Sequence, residues 1–336
     1  MITASPTARL SPTTPDWREL WREAFTDAGE LLAAVGLAHL AEHLPPGNAG
    51  FALRVPRGFV ARIRPGDPRD PLLLQVLPQL AEQEQVPGFV ADAVGDLAAR
   101  EAQGVLHKYQ GRALLIASGS CAINCRYCFR RHFPYGEEIA AAGQWKDALA
   151  HVRADPTISE LILSGGDPLA LATSKLEELG RGLADLPRVT RLRIHTRLPV
   201  VLPERIDAPF LAWLEALPLQ KVVVLHANHA NEFDPAVDAA CAALRRAGAT
   251  LLNQSVLLRG INDEAGTLAA LSERLFAAGV LPYYLHQLDR VQGAAHFEVD
   301  DACALALVEG MRRRLPGYLV PRLVREVAGD ASKRPL

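Results

Sequence analysis

Three cysteines fall within eight residues, Cys121-Ala-Ile-Asn-Cys125-Arg-Tyr-Cys128, a CxxxCxxC spacing. Thiolates this close together bind a metal ion or an iron–sulfur cluster. A structural zinc site wants four ligands. No fourth cysteine lies nearby, but His132 would complete a Cys₃His set. The other reading is a [4Fe–4S] cluster with one iron left open to a small molecule. Cys241 and Cys303 stand alone in alanine-rich helical stretches, and an odd total of five is not a secreted disulfide framework. A reduced, cytoplasmic protein is the expectation.

A second group is Gly165-Gly166-Asp167-Pro168, which directly follows a short apolar run. Glycines let a ligand approach the backbone closely, although an ordinary turn has the same composition. A third is the set of five lysines. Lys146 and Lys175 read as solvated residues of outer helices, and Lys221 sits at the start of an apolar run. Lys108 and Lys333 remain as candidates for chemistry. Lys108 belongs to a basic stretch with Tyr109 and Arg112, and Lys333 lies near the last residue, Leu336.

The elements that must position these residues show a regular rhythm. Apolar, β-branched runs cover Ala113–Ser118, Leu161–Ser164, Leu192–His195, Val222–Leu225, Leu251–Leu258 and Tyr283–His286. Amphipathic stretches such as Ser174–Leu186, Pro235–Ala247 and Glu264–Ala278 lie between them. Strand–helix repeats at this spacing predict βαβ units, a parallel sheet and right-handed crossovers. Six units, not eight, make a partial (β/α)₆ barrel. In such barrels the chemistry sits at the C-terminal strand ends. There the sequence puts the cysteine triplet, Gly165 to Asp167, Thr196-Arg197, His226, Asn228 and His229, and Gln287 with Asp289, while Gln254 lies inside the fifth run.

Before the barrel, Trp17, Leu20, Trp21, Phe25, Ala28, Leu31, Leu32 and Val35 share one face of a helical pattern that starts at Asp16. The dozen Thr-, Ser- and Pro-rich residues ahead of it are expected to fray. The division expected is residues 1–105, helical and mixed; 106–299, the barrel; and 300–336, a helix and tail. With 36 Lys plus Arg against 38 Asp plus Glu, the net charge of −2 does not suggest a nucleic-acid binder. Neither a signal core nor a membrane span is expected.

The cysteine spacing, its place after the first run and Tyr127 before the last cysteine resemble the radical S-adenosylmethionine superfamily. Residues 125–131 (Cys-Arg-Tyr-Cys-Phe-Arg-Arg), 163–168 (Leu-Ser-Gly-Gly-Asp-Pro) and 253–262 (Asn-Gln-Ser-Val-Leu-Leu-Arg-Gly-Ile-Asn) resemble the lysine 2,3-aminomutases. The short branch that makes β-lysine for elongation factor P is the most similar. The resemblance implies a radical-SAM partial barrel whose [4Fe–4S] cluster, on Cys121, Cys125 and Cys128, cleaves S-adenosylmethionine reductively. It implies S-adenosylmethionine contacts from Gly165, Gly166, Asp167, His226 and Gln254. It implies pyridoxal 5′-phosphate on Lys333 as the catalytic lysine, with Lys108, Tyr109 and Arg112 around the cofactor. For the substrate it implies Arg130 on the α-carboxylate, and Asp289 and Glu326 on the ε-ammonium of lysine; Arg131 would face phosphate or solvent. Two departures stand out: Glu326 where the family has aspartate, and Gly329-Asp-Ala-Ser-Lys333 in place of a glycine-rich run. The chain also ends without the cysteine-bearing extension of the longer enzymes. The implied reaction is lysine to β-lysine, with a flavodoxin or ferredoxin as reductant, a separate lysyl ligase for elongation factor P, and association into homo-oligomers. The alternative is an aminomutase of free amino-acid metabolism.

Overall fold

A computed structural model describes residues 16–136, 138–143 and 145–336. The segment expected to fray lies outside the described residues. Ten strands form one sheet in sequence order. They are β1 (Arg100–Ala102), β2 (Val105–Tyr109), β3 (Arg112–Ser118), β4 (Glu160–Gly165), β5 (Arg191–Thr196), β6 (Gln220–Leu225), β7 (Ala249–Val256), β8 (Leu281–His286), β9 (Arg322–Arg325) and β10 (Arg334–Pro335). From β3 to β9 every neighbouring pair is parallel. The two margins, β1–β2–β3 and β9–β10, are antiparallel. The sheet does not close.

All six expected strands are present, and six βα units lead into a seventh parallel strand, β9, that the hydrophobic pattern did not reveal. Its sequence, Arg-Leu-Val-Arg, is too short and too charged at its ends to read as a buried run. The crossover helices include Thr173–Ala184, Ala208–Ala216, Pro235–Arg246, Ala265–Ala277 and Asp301–Arg312. Several start on an aspartate cap: Asp207, Asp234 and Asp300 accept from the backbone N–H three residues on. Proline at the first or second helical position, as in Asp234-Pro235, sets the helical φ where no N–H is needed.

The single N-terminal helix read from the periodicity is corrected to two short ones, Trp17–Arg22 and Ala28–Ala34. Between them Phe25 exchanges both backbone hydrogen bonds with Val55, at 2.9 Å each, and Asp27 caps the second helix. The apolar face stays continuous across the break, so Trp17, Phe25, Ala28, Leu31, Leu32 and Val35 all join the main core. That core also takes Leu115, Leu161, Leu192 and Val223 from the sheet and Leu176, Phe210 and Val237 from the helices. The sheet crosses both boundaries expected from the sequence, because β1 precedes residue 105 and β9 and β10 follow residue 300. Among the described residues, no helix is long and apolar enough to cross a membrane.

Strand burial alternates where the sheet turns its concave face inward. In β5, Leu192, Ile194 and Thr196 are buried, while Arg193 and His195 line a cavity. In β7, Leu251, Asn253 and Ser255 are buried, and Gln254 and Val256 face the same cavity. The period-2 side-chain rule therefore sends Arg193, His195 and Gln254 into the barrel and Leu192, Ile194 and Leu251 to the opposite, buried face.

Candidate active site

The concave face encloses a cavity of about 540 Å³. It runs from the cysteine loop beyond β3 to the hairpin at Tyr109–Arg112, at the opposite end of that strand. The residues that the family resemblance implies for cofactors and substrate line it: the three cysteines, Lys108, Tyr109, Arg112, Arg130, Gly165, Gly166, Asp167, His226, Gln254, Asp289, Glu326 and Lys333; His132, His229 and Gln287 do not.

The cysteine loop is tied to the N-terminal region by buried charge. Arg126 is fully buried; it donates to both Glu82 oxygens and to the carbonyls of Phe51 and Asn48. Arg131, expected to face phosphate or solvent, donates instead to Glu82 at 2.9 Å and to the carbonyls of Arg126 and Gly293. The correction follows from burial: Glu82 needs cationic partners, and both arginines supply them. His132 is exposed, bonds Gln292 O at 3.1 Å and does not line the cavity that the three cysteines border, which counts against the Cys₃His reading. Among the described residues no three such donors converge on one point, as a single ion requires. A cluster places fewer demands, because each thiolate takes its own iron. Burial raises the Cys121 thiol well above its ordinary value and Cys128 to about 11, and neighbouring thiols add to both effects. Thiols that crowd and raise one another suit a centre whose positive charge would ionise them.

The Gly-Gly-Asp loop is packed against the backbone of the cysteine loop. Gly165 has φ +120, and a Cβ there would meet Ser118 O at 2.5 Å; one on Gly166 would meet Ser120 O at 2.6 Å. Only glycine fits this approach. The Asp167 carboxylate accepts from the Thr196 hydroxyl at 2.7 Å and from the N–H groups of Arg197, Leu198 and Leu169. It is thereby committed to holding the loop, and burial lifts it to about 6 despite those donors. Among the described residues Gln254 Oε1 is buried with no hydrogen-bond partner, as is Nε2 of His286. Such orphaned groups fit a polar ligand in the cavity.

His195 and His226 meet at 3.4 Å, edge to face. Burial lowers His226 to about 4 and holds His195 and His286 well below the ordinary histidine value, with Lys333 adding to all three shifts. At neutral pH this wall is uncharged.

Lys333 reaches the cavity because the tail returns. After β9 the chain turns, with Gly329 at φ +83, and β10 pairs back antiparallel on β9. That return sets Lys333 Nζ 2.5 Å from Glu326 and 6.0 Å from the centre of the Tyr284 ring. Glu326 also accepts from the Tyr109 hydroxyl. Lys333 keeps its carboxyl below the ordinary value against the pull of burial. Arg112 stacks 4.6 Å over Tyr109 and has no carboxylate partner among the described residues. Lys108 pairs with Asp96 at 2.6 Å. This amine, ring and pair of cations fit an aromatic aldehyde phosphate.

Arg130 donates through Nε to Asp96 at 2.6 Å and through Nη1 to Ser164 at 2.9 Å. Two of the three guanidinium nitrogens are therefore anchored. Asp96 was not singled out in the sequence, since it lies in an irregular stretch with no periodic signal. Here it bridges Lys108 and Arg130, and their charges hold it below the ordinary value.

Asp289 borders the cavity, its carboxylate has no hydrogen-bond partner among the described residues, and burial lifts it to about 7 from 3.8, with Lys333 opposing. A carboxyl raised by folding contributes stability that is complete below about pH 4 and lost as pH rises through 7. Asp289→Asn should therefore melt higher than wild type at pH 8 and match it at pH 4. The gain is about 1–2 kcal/mol once cavity water is allowed for. Thermal melts of cofactor-free protein check this, and equal melting at pH 8 refutes it. Asp167 contributes with the same sign in both proteins and cancels.

No family model matches the chain. It is 48% identical over 329 residues to the L-lysine 2,3-aminomutase of Escherichia coli K12, covering 97% of this chain and 96% of that one. The Haemophilus influenzae L-lysine 2,3-aminomutase is 45% identical over 332 residues, covering 97% and 98%. That of Clostridium subterminale is 33% identical over 280 residues, covering 83% and 67%. A solved radical SAM methyltransferase from Sphaerobacter thermophilus superposes with a TM-score of 0.49 at 17% identity, covering 66% and 68%. A partial α/β barrel with CxxxCxxC beyond its first parallel strand is the layout of a radical S-adenosylmethionine enzyme. Within that class the chain belongs to the L-lysine 2,3-aminomutase family of isomerases.

Proposed function

We propose that this protein converts L-lysine to β-lysine and that the product serves the modification of elongation factor P in the cytoplasm. The observation that carries the reaction is one cavity bordered by the cysteine triplet, by Lys333 and by an arginine and carboxylates suited to a basic amino acid. When bound, S-adenosylmethionine at a [4Fe–4S] cluster would supply a hydrogen-abstracting radical, and pyridoxal phosphate, held on Lys333 until the substrate arrives, would supply the aldehyde carbon that takes up the substrate's amino group. Cys121, Cys125 and Cys128 would hold the cluster, and Gly165, Gly166, His226 and Gln254 would hold S-adenosylmethionine. Lys108, Tyr109 and Arg112 would seat the phosphate and ring.

This chain's residues position the substrate. Arg130 keeps its Nη2 for the α-carboxylate while Asp96 and Ser164 fix its plane. Asp289 and Glu326 offer carboxylates to an ε-ammonium; Glu326 must then share itself with Lys333 and Tyr109. A substrate cation beside Asp289 lowers its pKa, so binding strengthens as pH rises through about 7. The neutral histidine wall adds no competing charge. Arg130→Lys keeps the charge but loses the fork, so the KM for lysine should rise about 100-fold with a smaller fall in kcat, in steady-state assays. An unchanged KM would remove Arg130 from substrate binding.

Identity to the Escherichia coli and Haemophilus influenzae relatives exceeds that to the Clostridium one, which supports placing the chain with the short branch. The reductant would be a flavodoxin or ferredoxin, and a separate ligase would attach β-lysine. The test is anaerobic reconstitution with iron, sulfide and pyridoxal phosphate, then a reductant, S-adenosylmethionine and ¹³C-lysine. β-Lysine by NMR is the expected result. 5′-Deoxyadenosine without β-lysine overturns lysine as substrate. Deleting the gene should remove β-lysyl elongation factor P; its persistence assigns the product to free amino-acid metabolism.

A further inference from the structure

We infer that Arg197 tunes the reducibility of the cluster by donating a charged hydrogen bond to the sulfur of Cys125; this rests on the reading that the three cysteines hold a cluster. Arg197 follows β5 and is 6% exposed. Its Nη1 lies 2.7 Å from Cys125 Sγ and 2.6 Å from the Tyr127 hydroxyl. Its Nη2 donates to Gln75 at 2.6 Å and to Glu232 at 2.9 Å. Its backbone N–H donates to Asp167 at 2.7 Å. Gln75, Glu232 and Tyr127 thus fix the guanidinium against one cluster sulfur, and Asp167 fixes the backbone that carries it. Among the described residues no other guanidinium hydrogen-bonds a sulfur of the triplet.

Arginine does not release its proton in proteins, so the charge is permanent. Burial in a low-dielectric wall strengthens its effect. Glu232 neutralises part of it, but through Nη2, whereas the sulfur contact is made through Nη1. Reduction adds one electron, taken from a low-potential one-electron donor, and leaves more negative charge on the cluster sulfurs. The guanidinium proton stays on Arg197 and no bond is made or broken there. Hydrogen bonds to cluster sulfurs raise the potential, because the reduced state gains more from them than the oxidised state. Arg197 acts through Cys125 and is a positioning residue for the electron rather than a catalytic one.

The test is an EPR-monitored redox titration of reconstituted wild type, Arg197→Met and Arg197→Lys, each with iron per chain measured and without S-adenosylmethionine. Arg197→Met should be about tenfold harder to reduce, a midpoint lower by about 59 mV for one electron. Arg197→Lys, which keeps the charge, should recover part of the shift. A wild-type midpoint in a fully loaded Arg197→Met overturns the inference. Should that variant fail to load, wild type grown on ¹⁵N-arginine decides. A ¹⁵N hyperfine coupling to the reduced cluster that is lost in Arg197→Lys supports the contact, and its absence from wild type overturns it. Wild type that forms no four-iron cluster at all fails differently, by refuting the cysteine reading itself.

Discussion

Lys333→Ala should abolish β-lysine formation and remove the absorbing chromophore of covalently held pyridoxal phosphate, while the cluster keeps its EPR signal. The expected loss of rate is at least about 10³-fold, since a nucleophilic amine is deleted outright. The tail geometry carries the prediction. Lys333 is 24% exposed at its side chain, stands over Tyr284 and pairs with Glu326, an environment unlike that of a solvated terminal lysine. Its removal also takes away the charge that holds Glu326 down and opposes the rise of Asp289. Both carboxyls should then titrate higher, and wild-type binding of lysine should weaken below pH 7. Lys108→Ala is the discriminating comparison. Lys108 is already held by Asp96 and by the carbonyl of Val94, so its loss should weaken cofactor affinity and leave the covalent chromophore. A chromophore retained in Lys333→Ala and lost in Lys108→Ala would transfer the role to Lys108.

The second large effect is at Cys125. Cys125→Ala should purify with a small fraction of the wild-type iron and sulfide and produce neither 5′-deoxyadenosine nor β-lysine after reconstitution. With one thiolate gone, two remain to hold a cluster that already lacks a fourth protein ligand. The variant also strips Arg197 Nη1 of its sulfur partner in a buried wall. Three controls sharpen the result. Cys303→Ala alters an exposed helical residue, and Cys241→Ala trims a buried one beneath β7, so both should keep the cluster. His132→Ala should also keep it, because that ring bonds Gln292 on the surface. Full iron in Cys125→Ala would refute the assignment.

Much of the scaffold was legible. Six apolar runs, the last five about thirty residues apart, mark six parallel strands, because each strand must bury one face under the crossover helices. Asp-Pro starts and amphipathic spacing mark the helices between them. The strands that escaped notice are those at the margins. There a short segment such as Arg322–Arg325 is stabilised by pairing rather than by its own hydrophobic pattern.

The site was legible in part, for a related reason. CxxxCxxC announces itself because all three donors must come from one loop. Asp96, Glu82 and Gln75 announce nothing: each sits alone in residues 48–105, where chain direction follows proline and loop geometry rather than a period. Their partners are Arg130 and Lys108, Arg126 and Arg131, and Arg197, and all but Lys108 lie more than thirty residues away in the chain. The neutral wall of His195, His226 and His286 is hidden in the same way, since each strand contributes one ring and only the curvature of the sheet brings them together.

The sequence by itself determined the chemistry on offer: thiolates at cluster spacing, a glycine pair able to approach another backbone, five lysines, and a βα rhythm that places loops on one rim. These are local properties, set by residue type and by spacings of a few residues. Tertiary structure decided which groups share a cavity and what charge each carries there. It brought a tail lysine to Glu326 through an antiparallel return. It committed Asp167 to its own loop and set a buried arginine on one sulfur of three. Such outcomes depend on how strands pair and turn back, on contacts as distant as Arg197 with Cys125, and on the desolvation those contacts impose, and no local pattern records them.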